Sequence, residues 1–336
     1  MITQTTLNNF GPLTNLNWNG LGSINLVIGG NGAGKTFLLK ALYSAMRTME
    51  EHQRGDVPFT AAEILGPKLH WTFQEDDVAK LVSRGAEAAL RFEMTFNGHD
   101  FNFTLERLAE PRLTVVNNAP PRPSNSIFLP AKEILSLHSI ILKSRDNDQV
   151  FGFDDTYYDL ARALLQQGTS GNQIKEFMQS RSNLKELIAG KVHYEPGKTR
   201  WNFNQGEDWF TMGVTAEGVK KIAILETLLS NRYLDTESIV FIDELESALH
   251  PTAISKLLDI VSLLAERGLQ FFIASHSYFV VKKLFLIAQE KGMSIPVISA
   301  NAEGWSAADL KDGMPDNPII SESVRLYEEQ VNLALR

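Results

Sequence analysis

Gly29-Gly30-Asn31-Gly32-Ala33-Gly34-Lys35-Thr36 is the stretch on which the reading of this chain turns. It fits the phosphate-binding loop pattern, two glycines spaced ahead of Lys-Thr, and its context is the required one. The β-rich run SINLVI (23–28) precedes it, and a helix-like pattern follows from Thr36 to about Met49. Glycines let the backbone curl until successive N–H groups point at phosphate oxygens, and the N-terminus of the new helix adds partial positive charge. Lys35 then bridges the β- and γ-phosphates and Thr36 offers its hydroxyl to Mg²⁺. Gly29, Gly30, Asn31, Gly32, Ala33, Gly34, Lys35, Thr36 and the adjoining Phe37 are the expected nucleotide-binding residues.

Two more strands close on polar residues. SIVFID (238–243) ends in Asp243, with Glu244 directly after it. Ligands gather at the carboxyl ends of parallel strands, so both acids are expected beside the glycine loop. Asp243 suits a Mg²⁺ role and Glu244 can hold the attacking water. FFIASHS (271–277) brings His276 to the end of another apolar strand, where it can hydrogen-bond a γ-phosphate or that water. Read alone, such a histidine is more often a structural one; its place on the strand after the Asp-Glu strand makes it a site candidate.

Outward from these anchors, the last third alternates helix 216–230, strand SIVFID, helix 252–267, strand LQFFIA, helix 278–291 and strand SIPVIS, the pattern of a parallel sheet. The region 51–124 reads as a polar stretch, a short helix near 76–85, and alternating runs LRFEMTF, FNFTLERL and RLTVV that make an antiparallel meander. Proline-rich NNAPPRPSN (117–125) marks a boundary, after which SIFLP restarts a strand and Ala131 onward favours helix. Helices near 157–167 and 172–189 lead to short strands at KVHYE and TRWNFN. One α/β domain over 1–336 is expected: an N-terminal lobe (1–120), a helical lid insertion (126–213) and a C-terminal lobe (214–336). No repeat or heptad array indicates a solenoid or a long coiled coil.

With 43% hydrophobic residues over 336 positions the chain can bury a full core. It has no cysteine, which excludes a disulfide framework or thiolate site and fits the reducing cytoplasm. Neither a bilayer-length apolar run nor a secretory leader is evident, so no membrane role is expected. A net charge of −8 argues against whole-surface nucleic-acid binding while leaving local DNA contact open. The pairs Lys220/Lys221 and Lys282/Lys283 lie on expected helices and read as solvated faces.

In this order the motifs resemble the ABC-type P-loop ATPases of the SMC, RecF and OLD group. Leu7-Asn8-Asn9-Phe10-Gly11 resembles the strand that opens such domains, and Glu246-Ser247-Ala248-Leu249-His250-Pro251 resembles their D-loop. The resemblance implies an ABC-type NTPase fold with a mixed or parallel core sheet. It makes Asp243 the Walker B acid, Glu244 the catalytic glutamate and His276 the switch histidine, with ATP and Mg²⁺ as ligands and Lys35 completing the catalytic set. In such proteins a signature segment of one copy caps the nucleotide of the other. The matching stretch here, 214–221, departs from the usual form but keeps Thr215 for the hydroxyl and Gly218 for close backbone approach. Lys132 or Glu133 stands where a glutamine loop belongs.

Lys35 and Asp243 lie 208 positions apart, too few for SMC arms, and about 60 residues follow His276, too few for a nuclease domain of the OLD type. The expectation is an ATPase that closes as a homodimer or higher homo-oligomer. It would control a separate effector such as a nuclease, as in prokaryotic anti-phage defence. A RecF-like DNA clamp and the ATPase subunit of a transporter are the alternatives.

Overall fold

The structure, a computed structural model, describes the chain apart from residues 57, 108–111, 167–176, 302–303 and 336. A hairpin of β1 (Ile2–Phe10) and β2 (Leu13–Asn19) precedes β3 (Ile24–Ile28), and the glycine loop then opens α1 (Lys35–Glu51). Next come α2 (Ala61–Phe73), β4 (Leu90–Phe96), β5 (His99–Glu106), β6 (Arg112–Asn117) and β7 (Ser126–Leu129). The middle holds α3 (His138–Asp146), α4 (Asp155–Leu165), α5 (Met178–Ile188), β8 (Lys191–Glu195), β9 (Arg200–Gln205) and β10 (Asp208–Thr211). The last third runs α6 (Glu217–Ser230), β11 (Ile239–Asp243), α7 (Pro251–Glu266), β12 (Gln270–Ser275), α8 (Tyr278–Lys291), β13 (Pro296–Asn301), β14 (Gly304–Asp309) and α9 (Pro318–Ala334).

The central sheet has the order β14-β13-β3-β12-β11-β7 and is parallel except for β14. Every residue of β3, β11 and β12 is buried, because both faces of the sheet are covered. Alternate residues serve two cores. Phe241, Phe272 and Val27 pack with α1 and the antiparallel sheet, whereas Val240, Ile242 and Ile273 pack with the helices of the C-terminal half. The antiparallel sheet, β2-β1-β4-β5-β6, includes the expected meander; β4 alternates buried and exposed positions up to its last turn. The last residue of FNFTLERL lies outside the described residues. A separate three-stranded sheet, β10-β9-β8, stands just before α6.

Several expectations need correction. Helix does not begin at Ala131: after Pro130 the chain turns, with Glu133 accepting from Ser136 N at 3.1 Å, and α3 starts at His138. A carboxylate that captures a nearby backbone N–H favours the turn over the helix. The helix near 76–85 is only a 3₁₀ turn at Val78–Leu81, begun by Asp77 accepting from Ala79 N. The first residues of the expected 172–189 helix lie outside the described residues; its described part is α5. Lys220 is not solvated. It is 2% exposed and pairs with Glu217 at 2.8 Å and Glu133 at 3.2 Å.

α2, read from sequence as a polar stretch, carries a complete capping box between Thr60 and Glu63. Pro67 within it disguises the helix, since proline removes an internal hydrogen bond. α2 is tied to α1 and α4 by buried charge. Lys68 Nζ lies 2.9 Å from Asp159 and 3.2 Å from Asp155, Arg47 Nε lies 3.6 Å from Asp159, and the Tyr43 hydroxyl donates to Asp159 at 2.7 Å. Burial alone would raise the Asp159 carboxyl, but Lys68 and Arg47 outweigh it and hold it below the ordinary range. A depressed carboxylate stabilises the fold above its ordinary titration range and loses that contribution as pH falls through the folded value. Asp159→Ala should therefore destabilise the chain by about 1.5–3 kcal/mol at neutral pH, because Lys68, Arg47 and the Tyr43 hydroxyl lose a buried acid that they share, while Asp155, Glu50 and Glu51 still pair the two cations. Urea denaturation at pH 7 and pH 4 measures this; a variant as stable as the parent at pH 7 would remove the network from the account of the fold.

Candidate functional site

The glycine loop links the C-terminal end of β3 to α1. Gly34, at the helix cap, has φ 96°, a conformation that a side chain would strain. At Gly29 a Cβ would lie 2.8 Å from the Ala300 Cβ, so the loop and β13 can pack only with glycine there. Lys35 is 7% exposed, and its Nζ donates to Gly29 O and Gly30 O, both at 2.9 Å, which holds the ammonium over the loop.

Thr36 and Asp243, 207 positions apart, meet: the Thr36 hydroxyl lies 3.0 Å and 2.9 Å from the two Asp243 carboxylate oxygens. Asp243 ends β11 two strands away from β3, in register with Ala274 of the intervening β12. Burial pushes its carboxyl above the ordinary value and the Thr36 hydroxyl works against that shift. Glu244, at the next position, takes a left-handed backbone with φ 48°, its N–H donating to Ala274 O at 3.0 Å. That turn separates the directions of the two acids, so Asp243 stays buried while Glu244 lines the cleft. His276 Nδ1 lies 3.5 Å from the Glu244 carboxylate and 3.7 Å from that of Glu246. Glu246 Oε1 accepts from Ser275 Oγ at 2.7 Å and from His276 N at 3.1 Å, which fixes the histidine backbone. Lys221 Nζ donates to Glu244 O at 3.1 Å, and burial lowers its pKa.

The loop opens into a cleft of about 670 Å³ bounded by residues 31–37, Lys40 and Glu244 at one end. Gly11, Phe73, Glu75, Lys80 and Leu81 line the other end, and all but Gly11 come from α2 and the turn after it. Phe37 and Phe73 pack ring to ring at 4.5 Å over Phe10, and a Cβ at Gly11 would strike the Phe37 ring at 2.4 Å. The Thr60/Glu63 capping pattern was the sequence signal that could have led to this second end of the cleft.

Thr215 and Gly218 stand outside the cleft of their own chain. The Thr215 hydroxyl donates to Thr211 O at 3.1 Å. A Cβ at Gly218 would meet Ala248 O at 3.0 Å and Leu249 Cδ2 at 2.9 Å, so the glycine lets α6 lie close against the chain's own 246–251 segment. Glu133 is engaged by Lys220 and Ser136, and both it and Lys132 line a narrow cleft beside Asp243.

Solved structures share this fold. The Smc head bound to the C-winged-helix domain of ScpA matches with a TM-score of 0.53 at 11% identity, covering 92% of this chain and 97% of that one. An Smc head with an extended coiled coil, bound to the C-terminal domain of ScpA derived from Pyrococcus furiosus, matches with a TM-score of 0.51 at 10% identity over 98% of both chains. The fold is that of an Smc head, with a glycine loop of the P-loop pattern between β3 and α1. No curated protein matches the chain. Residues 24–282 match the model of the family described as "AAA domain, putative AbiEii toxin, Type IV TA system", and the chain belongs to that family. Among the described residues no helix is long and apolar enough to cross a membrane.

Proposed function

We propose that this chain binds and hydrolyses Mg²⁺-ATP as an ATP-sandwich dimer or higher homo-oligomer, and that the closed state controls a separate effector in anti-phage defence. The observation that carries the reading is the contact between Thr36 and Asp243, which joins the glycine loop to the acid-bearing strand at one point.

The donor set suits Mg²⁺. A hydroxyl and a carboxylate are hard oxygen ligands, and among the described residues no cluster of three or more His, Cys, Asp or Glu offers an all-protein cage. A cation that keeps waters and phosphate oxygens in its shell needs only such a pair. Bound there, it would neutralise charge on the phosphate oxygens. Lys35 neutralises phosphate charge from the loop, Asp243 orients the Thr36 hydroxyl, Glu244 holds a water in line with the γ-phosphate, and His276 steadies Glu244. The remoteness of Thr215 and Gly218 from their own cleft supports a role on a neighbour's nucleotide. The toxin–antitoxin description of the family, and Smc heads that bind ScpA, support a chain that acts through another protein. We place it in the cytoplasm, and read 126–213 as the insertion between its two lobes.

The base is assigned to the Phe37–Phe73 end of the cleft. Phe73→Ala should weaken ATP by about 5- to 150-fold, the effect of about 1–3 kcal/mol of base–aromatic stacking, and leave tripolyphosphate unaffected. Calorimetric titration of both ligands decides it: equal losses would mean that Phe73 merely supports the loop. The broader reading is tested by phosphate release from Mg²⁺-ATP together with mass measurement in ATP; a chain that neither hydrolyses ATP nor associates in it refutes the proposal.

A further inference from the structure

Glu246 stands two positions after the glutamate that holds water in the function proposed above, and that function gives it no task. Its side chain is 9% exposed. Oε1 accepts two hydrogen bonds at the end of β12, from Ser275 Oγ and from His276 N, while Oε2 is buried and has no hydrogen-bond partner among the described residues. A carboxylate buried with one oxygen unpaired is a burden on stability, so the fold by itself gives no reason for an acid at this position.

The acid is mounted rigidly. Ser247 N donates to Glu244 O at 2.9 Å and Leu249 N to Glu246 O at 3.0 Å, while Ala248 takes φ 63°, so residues 244–249 form a closed turn. Opposite it, Ser275 is fully buried and in register with Ile28, the last residue of β3 before the glycine loop. Its hydroxyl oxygen also accepts from Ser277 N at 3.0 Å. His276 is therefore held at its own N–H and on both flanks. Packing cannot aim the imidazole, because the side chain is 45% exposed. The backbone that Glu246 clamps is what brings Nδ1 to 3.5 Å from the Glu244 carboxylate.

We infer that Glu246 is a positioning residue for ATP hydrolysis, acting on Glu244 through His276. This role rests on the function proposed above, in which His276 steadies Glu244. Both accepted bonds come to one oxygen, so the reach of the side chain decides the effect and its charge does not.

Three substitutions separate reach from charge. Glu246→Ala removes both accepted bonds. Glu246→Asp keeps the charge but is one methylene too short for the two donors, and Glu246→Gln keeps the length and an oxygen that accepts from both. Steady-state phosphate release from Mg²⁺-ATP should show kcat lowered by about 10- to 100-fold in Glu246→Ala and Glu246→Asp with KM unchanged, the effect of a reacting group misplaced by about an ångström. Glu246→Gln should recover most of that loss, which a residue that merely supports the fold would not produce without a change in KM. Should the alanine variant fail to fold, the aspartate and glutamine variants decide. Parental kcat in Glu246→Ala or Glu246→Asp, a loss expressed in KM alone, or Glu246→Asp turning over faster than Glu246→Gln would each overturn the inference and leave the ATPase activity of the parent, measured alongside, standing. A parent without turnover would refute the proposed function, and the role of Glu246 with it.

Discussion

Glu244→Gln should bind Mg²⁺-ATP as the parent does while turnover falls by about 10²- to 10⁴-fold, the range typical for loss of a positioned base. Glutamine keeps the length and most hydrogen bonds of glutamate but cannot take a proton from the attacking water. Glu244 sits at φ 48° with its N–H bonded to Ala274 and its carbonyl to Lys221, and glutamine preserves both contacts. His276, 3.5 Å away, retains a polar neighbour. Phosphate release at saturating ATP and a direct nucleotide titration, made on one preparation, separate binding from chemistry. In the proposed mechanism the variant should also accumulate as the closed dimer when ATP is present. Parental turnover in Glu244→Gln would remove this residue from the chemistry.

Lys35→Ala acts earlier, on binding. A charge-assisted hydrogen bond contributes about 1.5–3 kcal/mol, so loss of this ammonium should weaken ATP by about 10- to 150-fold. Tripolyphosphate should weaken with it, in contrast to Phe73→Ala, because the contact proposed for Lys35 is with phosphate and not base. The fold should persist: the partners of Lys35 Nζ are the carbonyls of Gly29 and Gly30, next to a cleft that water can enter. An ATP affinity that does not move would contradict the phosphate contact.

What could be read from the residues depended on whether the signal was local. The glycine loop and the strands SIVFID and LQFFIA were legible because composition and order along the chain determine them. The parallel sheet then follows from helices between fully apolar runs, and the meeting of Thr36 with Asp243 follows from the sheet. α2 was not legible, since Pro67 interrupts its period, and with it the Phe73–Leu81 end of the cleft was missed. The burial of Lys220 was equally out of reach. Its partner Glu133 lies 87 positions upstream, and sequence spacing cannot announce an ion pair that the fold creates. α9 was not read from the sequence, although Asn317 and Pro318 are the cap and first-turn residues that open it.

Gly218, wedged against Ala248 and Leu249, and Lys221, bonded to the carbonyl of Glu244, clasp the start of α6 to the loop that carries Glu244. In the proposed dimer, a copy that reaches across to a neighbour's triphosphate would do so with the same piece of backbone that shapes its own. In a closed pair the two nucleotides would then report to each other through a few ångströms of shared chain, and spending one would be felt at once by the other.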